Sequence, residues 1–253
     1  DEILSYLPLC HVAERLLSVV DSLAAGYVVN YGECGESFAT DLQEVQPTFA
    51  DASRPGRVAL AVFGGLWALF ILPLVAAGWG WRWLDQLART GLYRTLADWA
   101  EDPYILYGCL GALSFLAIGL ALLPDMRRAG AGGRLFAWLI ITGAVVTTLS
   151  YLGTPRESPL HLLWGAEGFW LIFIGVAGIT AAVTAGRAWP TWTRVLMGLS
   201  LLVLAAGTLG LSYYPHGSLV ALAIEAVVLI LAAPRGSTAE RGSAAERQEP
   251  VTT

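Results

Sequence analysis

Glu167 and Glu225 each interrupt a long apolar run, and His161 and His216 stand just ahead of those runs. An ionised carboxylate at the centre of a membrane costs about 2.5 to 3.5 kcal/mol on insertion scales. Glu225 lies near the middle of the last run, so it must face protein or water, or stay protonated. Two chemistries fit: a proton-handling or substrate site, and a structural hydrogen bond between helices. Ser114, at similar depth in another run, is the candidate partner. Glu167 falls about one turn into its run, where a helix N-terminus and headgroup water favour a carboxylate. His161, Glu167 and His216 together would offer two imidazoles and a carboxylate at one mouth of a bundle. That set suits a divalent metal or a proton relay toward Glu225. His216 and Glu225 are nine residues apart on one helix, hence on opposite faces and about 13 Å apart in height, which rules out a direct pair.

A faint internal echo surrounds these residues. Ser150-Tyr151 ends one run and Ser212-Tyr213-Tyr214 ends another; each is followed by a Pro-containing loop with a histidine, then by a run with a glutamate. Helix-hairpin duplication can place a site at the interface between repeats. Other chemistries are excluded by residue type. All 15 cations are Arg, which removes lysine-dependent phosphate loops, Schiff bases and adenylating chemistry. Cys10, Cys34 and Cys109 have no metal-ligand spacing, and no GxSG, HExxH or CxxCH motif occurs. No cofactor is expected, and the identity of any metal stays open.

The elements that must position these residues are apolar helices. Of 253 residues, 56% are hydrophobic and 14% charged, against roughly 25% charged in an ordinary soluble domain. The net charge of -5 and the absence of a basic face argue against a nucleic-acid partner. Apolar runs near 58–79, 104–123, 135–153, 162–185, 195–214 and 217–233 predict six spans, each long enough for a hydrocarbon core of about 30 Å. With six spans, Arg54, Arg57, Arg127, Arg128, Arg134, Arg187, Arg194, Arg235, Arg241 and Arg247 share one side. Arg82, Arg89, Arg94 and Arg156 share the other, so both termini are expected in the cytoplasm of a multi-pass cell (plasma) membrane protein. Trp79, Trp81 and Trp83 form an interface belt after the first span, and Pro73 is expected to kink that span. The stretch 82–101 reads as one amphipathic surface helix, and Ala177, Ala181 and Ala185 as a small-residue stripe for close helix packing.

Residues 1–56 differ in kind. Charges at Glu14, Arg15 and Asp21 prevent a span, and the opening Asp1-Glu2 is unlike a secretory signal. A first residue other than Met suggests a trimmed or incomplete N-terminus. The pattern is strand (3–7), helix (11–25), strand (27–31) and a short helix (40–45), an α/β fragment too small to cover a parallel sheet by itself. The tail, 234–253, is expected to be a disordered cytoplasmic end.

Ser5-Tyr6-Leu7-Pro8-Leu9-Cys10-His11-Val12-Ala13-Glu14-Arg15-Leu16, followed by Asp41-Leu42-Gln43-Glu44-Val45-Gln46-Pro47-Thr48-Phe49, resembles the long-chain acyl-CoA synthetases of the AMP-binding, adenylate-forming superfamily. The resemblance implies that His11 is a remnant of the fatty-acyl and adenylate site. It covers about a fifth of the chain and stops at Phe49, where the family continues with a GVPR segment. The downstream nucleotide motifs and the catalytic lysine are lacking, so ligase activity is not expected. Residues 57–233 resemble a bacterial six-span membrane protein. The expected architecture is therefore an all-α polytopic membrane protein, six transmembrane helices in a bundle, preceded by a short incomplete α/β fragment. Its partners are the lipid bilayer and an undefined small molecule or protein. Three functions follow from the residues: a small transporter using Glu225, an accessory membrane protein, or a membrane enzyme with an outer His/Glu site. A catalytically incomplete ligase fragment is what the resemblance adds.

Overall fold

In hydrocarbon a backbone N–H or C=O finds no water, so an apolar run satisfies its own groups by coiling into an α-helix. The computed structural model describes residues 2–5, 28–31, 54–78, 81–187 and 189–234. The helices are α1 (Arg54–Ala76), α2 (Arg82–Ala88), α3 (Gly91–Asp98), α4 (Pro103–Leu110), α5 (Ala112–Arg128), α6 (Gly130–Leu152), α7 (Ala166–Thr184), α8 (Thr191–Gly198), α9 (Ser200–Leu211) and α10 (His216–Ala232). A single 3-10 turn, His161–Leu163, lies between α6 and α7. Local chemistry explains where several of them begin. Asp102 caps α4 by accepting the Ile105 N–H at 3.0 Å, with Pro103 in the first turn where its missing N–H costs nothing.

Among the described residues four helices are long and apolar enough to cross a membrane: α1, α4–α5 taken together over Pro103–Arg128, α6 and α7. A fifth is obtained only if α8 and α9 count as one span, and these are bent by 58° at Leu199. The last helix, α10, has 17 residues. The described residues thus give four spans, or five with the bent pair, against the six expected: hydropathy sums composition along 195–214 and is blind to a bend. At the break the Ser200 hydroxyl lies 2.7 Å from the Met197 carbonyl, a side chain serving a backbone acceptor where the helix bends.

α6 lies between α5 and α7, α10 packs on α1 and α9 and reaches α5, and α7 packs on α8 and α9. Phe115, Ile118, Leu122, Phe136, Ile140, Ile174, Leu222 and Leu229 fill the centre. Large apolar side chains are also exposed on the outside, including Leu66, Val145, Phe169, Val183, Leu209 and Ile224. Helices apolar on both faces suit lipid as the surrounding solvent. The small-residue stripe works as its spacing suggests. Ala177, Ala181 and Ala185 are buried, and the Thr184 hydroxyl donates to the carbonyl of Ala129, the residue between α5 and α6, at 2.8 Å. α1 runs through Pro73 as one helix.

The amphipathic stretch is two helices, not one, because α2 and α3 are separated at Arg89-Thr90. Neither lies free of the bundle. Leu84 of α2 is buried against Leu72 and Ala76. Tyr93 of α3 packs on Phe70 with ring centroids 5.8 Å apart, and burial raises its phenol pKa. The Tyr107 hydroxyl donates to the Leu96 carbonyl at 2.7 Å. Trp99, 85% exposed, is left for the interface.

Near the N-terminus, β1 (Glu2–Ser5) and β2 (Val28–Tyr31) pair in parallel, Glu2 opposite Val28. The expected helices at 11–25 and 40–45, His11 itself, Cys10, Cys34, Trp79 and the tail from 235 lie outside the described residues.

At the opposite end of the bundle from α2 and α3, charges meet in the interior. Asp125 is fully buried; its Oδ2 lies 3.0 Å from Arg57 Nη1 and its Oδ1 3.3 Å from Arg128 Nη1. The Arg54 guanidinium donates to the carbonyls of Leu231 and Ala233 at 3.0 and 2.6 Å, closing the end of α10 against the start of α1. Removing one partner of a buried pair leaves an uncompensated charge at a cost of about 3–5 kcal/mol. Asp125→Ala is therefore expected to lower the thermal midpoint in detergent strongly. Adding Arg57→Met is expected to recover most of the loss; a double variant as unstable as the single one would show that the pair is not the cause.

Candidate functional site

The bend between α8 and α9 brings Ser200, the first residue of α9, against Glu225 in the middle of α10. The Ser200 hydroxyl lies 2.6 Å from Glu225 Oε1, and Glu225 is 3% exposed. Gly178 of α7 makes this possible, since a Cβ there would collide with Ser200 and the Met197 carbonyl. One hydroxyl carries one proton, and the Met197 carbonyl can only accept. Both short contacts of Ser200 become full hydrogen bonds when the Glu225 carboxyl carries a proton. Besides burial, the Ser200 hydroxyl is the group that acts on this carboxyl; no cation of the described residues does. Glu225 Oε2 accepts no hydrogen bond from the described residues.

Two turns along the same face of α10 stands Ser218. Its hydroxyl is 2.6 Å from that of Thr208 on α9 and donates to the Leu204 carbonyl at 3.1 Å. Seven residues of helix separate Ser218 from Glu225, about 10.5 Å of rise. The α9–α10 seam thus carries hydroxyls on the way to its carboxyl. A cavity of about 400 Å³ opens beside it, lined by Thr208, Ser218, Leu204, Leu171 and Tyr214 among others.

A cluster of phenols closes the α2–α3 end. The hydroxyls of Tyr151 and Tyr213 are 3.1 Å apart, and the Tyr213 hydroxyl donates to that of Tyr104 at 3.3 Å. The two halves of the sequence echo meet here, tyrosine on tyrosine. Ser212 caps the end of α9, and its left-handed φ of 56° turns the chain so that Tyr213 comes against the other rings. Burial pushes the Tyr213 phenol well above its ordinary pKa, with the neighbouring Tyr104 adding to the shift, so it stays neutral. His216 is fully buried behind these rings. Its centroid lies 6.1 Å from that of Tyr151 and 5.9 Å from that of Tyr213, and Gly111 leaves the space for it. Neither of its ring nitrogens has a hydrogen-bond partner among the described residues.

The expected convergence of His161, Glu167 and His216 is not what the fold builds. Tyr104 and Trp164 stand between two adjoining cavities: one of about 310 Å³ that includes Glu167, and one of about 470 Å³ that includes His161 and Arg156. His161 stacks on Trp164, and its Nδ1 lies 2.8 Å from the Gly153 carbonyl, an acceptor, so Nδ1 bears the proton. His216 sits in the core rather than at an interface. Among the described residues no three of His, Cys, Asp and Glu are grouped to hold a metal ion. Ser114 is also placed differently from its expectation. It is buried at the contact with α1, where its carbonyl would lie 3.1 Å from a Cβ at Gly64, and the partner of Glu225 is Ser200 instead. Glu167 does fall in the first turn of α7, 6% exposed, beside the Ser150 hydroxyl, which in turn accepts the Gly165 N–H at 2.9 Å.

Ser200, Tyr104, Tyr151, Tyr213 and the Arg57–Asp125 pair were not singled out as site residues by sequence reasoning. Ser200 carried one faint signal, a polar residue within an apolar run that follows Gly198. Protonated carboxyls have an infrared carbonyl stretch distinct from that of carboxylates. Near neutral pH that band is expected in the purified protein and lost in Glu225→Gln; an unchanged spectrum would place the proton elsewhere. No family model matches this chain, and no curated protein or solved structure matches it, so the functional reading rests on the geometry above.

Proposed function

We propose that the chain is a small transporter of the cell (plasma) membrane, multi-pass with both termini cytoplasmic, in which Glu225 is the intramembrane acid that takes up and releases a proton. One observation carries this reading: a helix broken at Leu199 presents Ser200 to a carboxyl in the middle of the neighbouring helix. Broken helices are a recurrent way of placing substrate and ion sites at mid-membrane depth, because unwound backbone and helix ends supply polar groups there. The Thr208–Ser218 hydroxyls and the adjoining cavity support a route between Glu225 and the tyrosine end. In this reading α8–α9 and α10 are the fifth and sixth spans, and the arginine asymmetry sets the orientation.

A second reading is an accessory membrane protein without transport. It is favoured by the Ser200–Glu225 contact itself, which ties α9 to α10 as any buried interhelical hydrogen bond does. A membrane enzyme with an outer His/Glu site is less well supported, since His161 and Glu167 line different cavities. The resemblance of residues 1–49 to acyl-CoA synthetases remains a proposal of shared ancestry for that fragment, with no ligase activity attached to it.

Proteoliposomes with a trapped pH indicator and an imposed membrane potential separate the first two readings. Wild-type protein is expected to carry protons at least ten-fold faster than Glu225→Gln, with Ser200→Ala shifting the pH at which flux is half-maximal. Equal rates for wild type and Glu225→Gln, with both folded, would hand the conclusion to the accessory reading.

A further inference from the structure

The cavity that holds Glu167 and the cavity between α7 and α9 share Thr208, Leu209 and Tyr214 in their linings, so a chamber containing a carboxyl adjoins an apolar groove. The chamber, about 310 Å³, is walled by Tyr104, Trp164, Tyr213 and Tyr214 around the Glu167 side chain. The groove, about 400 Å³, is lined by Leu171, Ile172, Leu201 and Leu204 from α7 and α9. Glu167 Oε2 accepts no hydrogen bond from the described residues. What acts on this carboxyl is burial, the Ser150 hydroxyl and its own backbone, with no cation of the described residues among them.

We infer that this chamber and groove form a binding site for a lipophilic ammonium, its charged head held by Glu167 and the surrounding rings and its alkyl tail laid along α7 and α9. The electrostatics select the sign of the head. A carboxylate makes its strongest hydrogen bonds to ionised donors, and the faces of Tyr and Trp attract a cation further when water is excluded. An anionic head would meet repulsion from Glu167. The tail is selected by the groove, whose walls offer aliphatic carbon and whose open side faces the hydrocarbon, where Ile172 and Leu209 are exposed. Head and tail act together: a small ammonium ion lacks the apolar contact, and an alkyl chain with the wrong head lacks the charge. The site rests on Glu167 and does not require Glu225 to move protons.

The test uses the full chain in a neutral maltoside detergent, with tetradecyltrimethylammonium as probe. Tetradecyl sulfate and tetramethylammonium serve as comparisons. Native mass spectrometry is expected to retain one tetradecyltrimethylammonium per chain and neither comparison compound. Titration by tryptophan fluorescence is expected to saturate, with at least a ten-fold weaker affinity in Glu167→Gln. Equal retention of the sulfate and the ammonium would overturn the inference, because the groove would then take any tail. An unchanged affinity in folded Glu167→Gln would overturn it as well. The two wild-type comparisons decide the matter even where the variant does not fold. Loss of proton flux in liposomes bears on Glu225 and leaves this result untouched.

Discussion

Within hydrocarbon no water is at hand to complete a hydrogen bond, and the arrangement of this bundle follows from where each polar group finds another. The backbone closes on itself in helices. The carboxyl of Glu225 cannot do that, and the structure answers by breaking α8 from α9 so that Ser200 reaches it. The same demand brings Trp67 Nε1 to the Leu110 carbonyl at 2.9 Å and Trp170 Nε1 to that of Leu139 at 2.8 Å. Each contact ties one helix to another at a place where a carbonyl would otherwise accept one bond fewer.

Charge is handled differently at the two ends. At the Arg54 end, Asp125 goes fully into the interior and is matched by Arg57 and Arg128, so the charge is compensated where it is buried. At the tyrosine end there is a carboxyl with no cation acting on it, and the surrounding groups are phenols and indoles. The contrast separates a pair that is complete within the protein from a carboxyl that has acceptor capacity for a donor from outside. It is also why the two glutamates are assigned different tasks. Glu225 is enclosed by helices and bonded to a neighbour, whereas Glu167 lines a chamber.

Glycine and serine set the distances on which this depends. Gly178 allows α7 to approach Ser200, and Gly111 admits the His216 ring beside Tyr151 and Tyr213. A methyl group at position 178 would push α7 away from the Ser200 contact, and one at position 111 would collide with the His216 ring.

The membrane character was legible from the sequence, because composition alone decides which solvent a helix prefers, and the positions of Glu225 and Glu167 within their runs were readable by counting. So was the burial of Ala177, Ala181 and Ala185, since small residues four apart leave one helix face flat. The partner of Glu225 was not. Depth along a helix pointed to Ser114, and only the tertiary arrangement, with α9 and not α5 against that face of α10, put Ser200 there instead. The burial of His216 and the separation of His161 from Glu167 were decided the same way, by the rings of Tyr213, Tyr104 and Trp164. A one-dimensional pattern reports a residue's height in the bundle, but which neighbour it meets at that height depends on how the helices are rotated and bent.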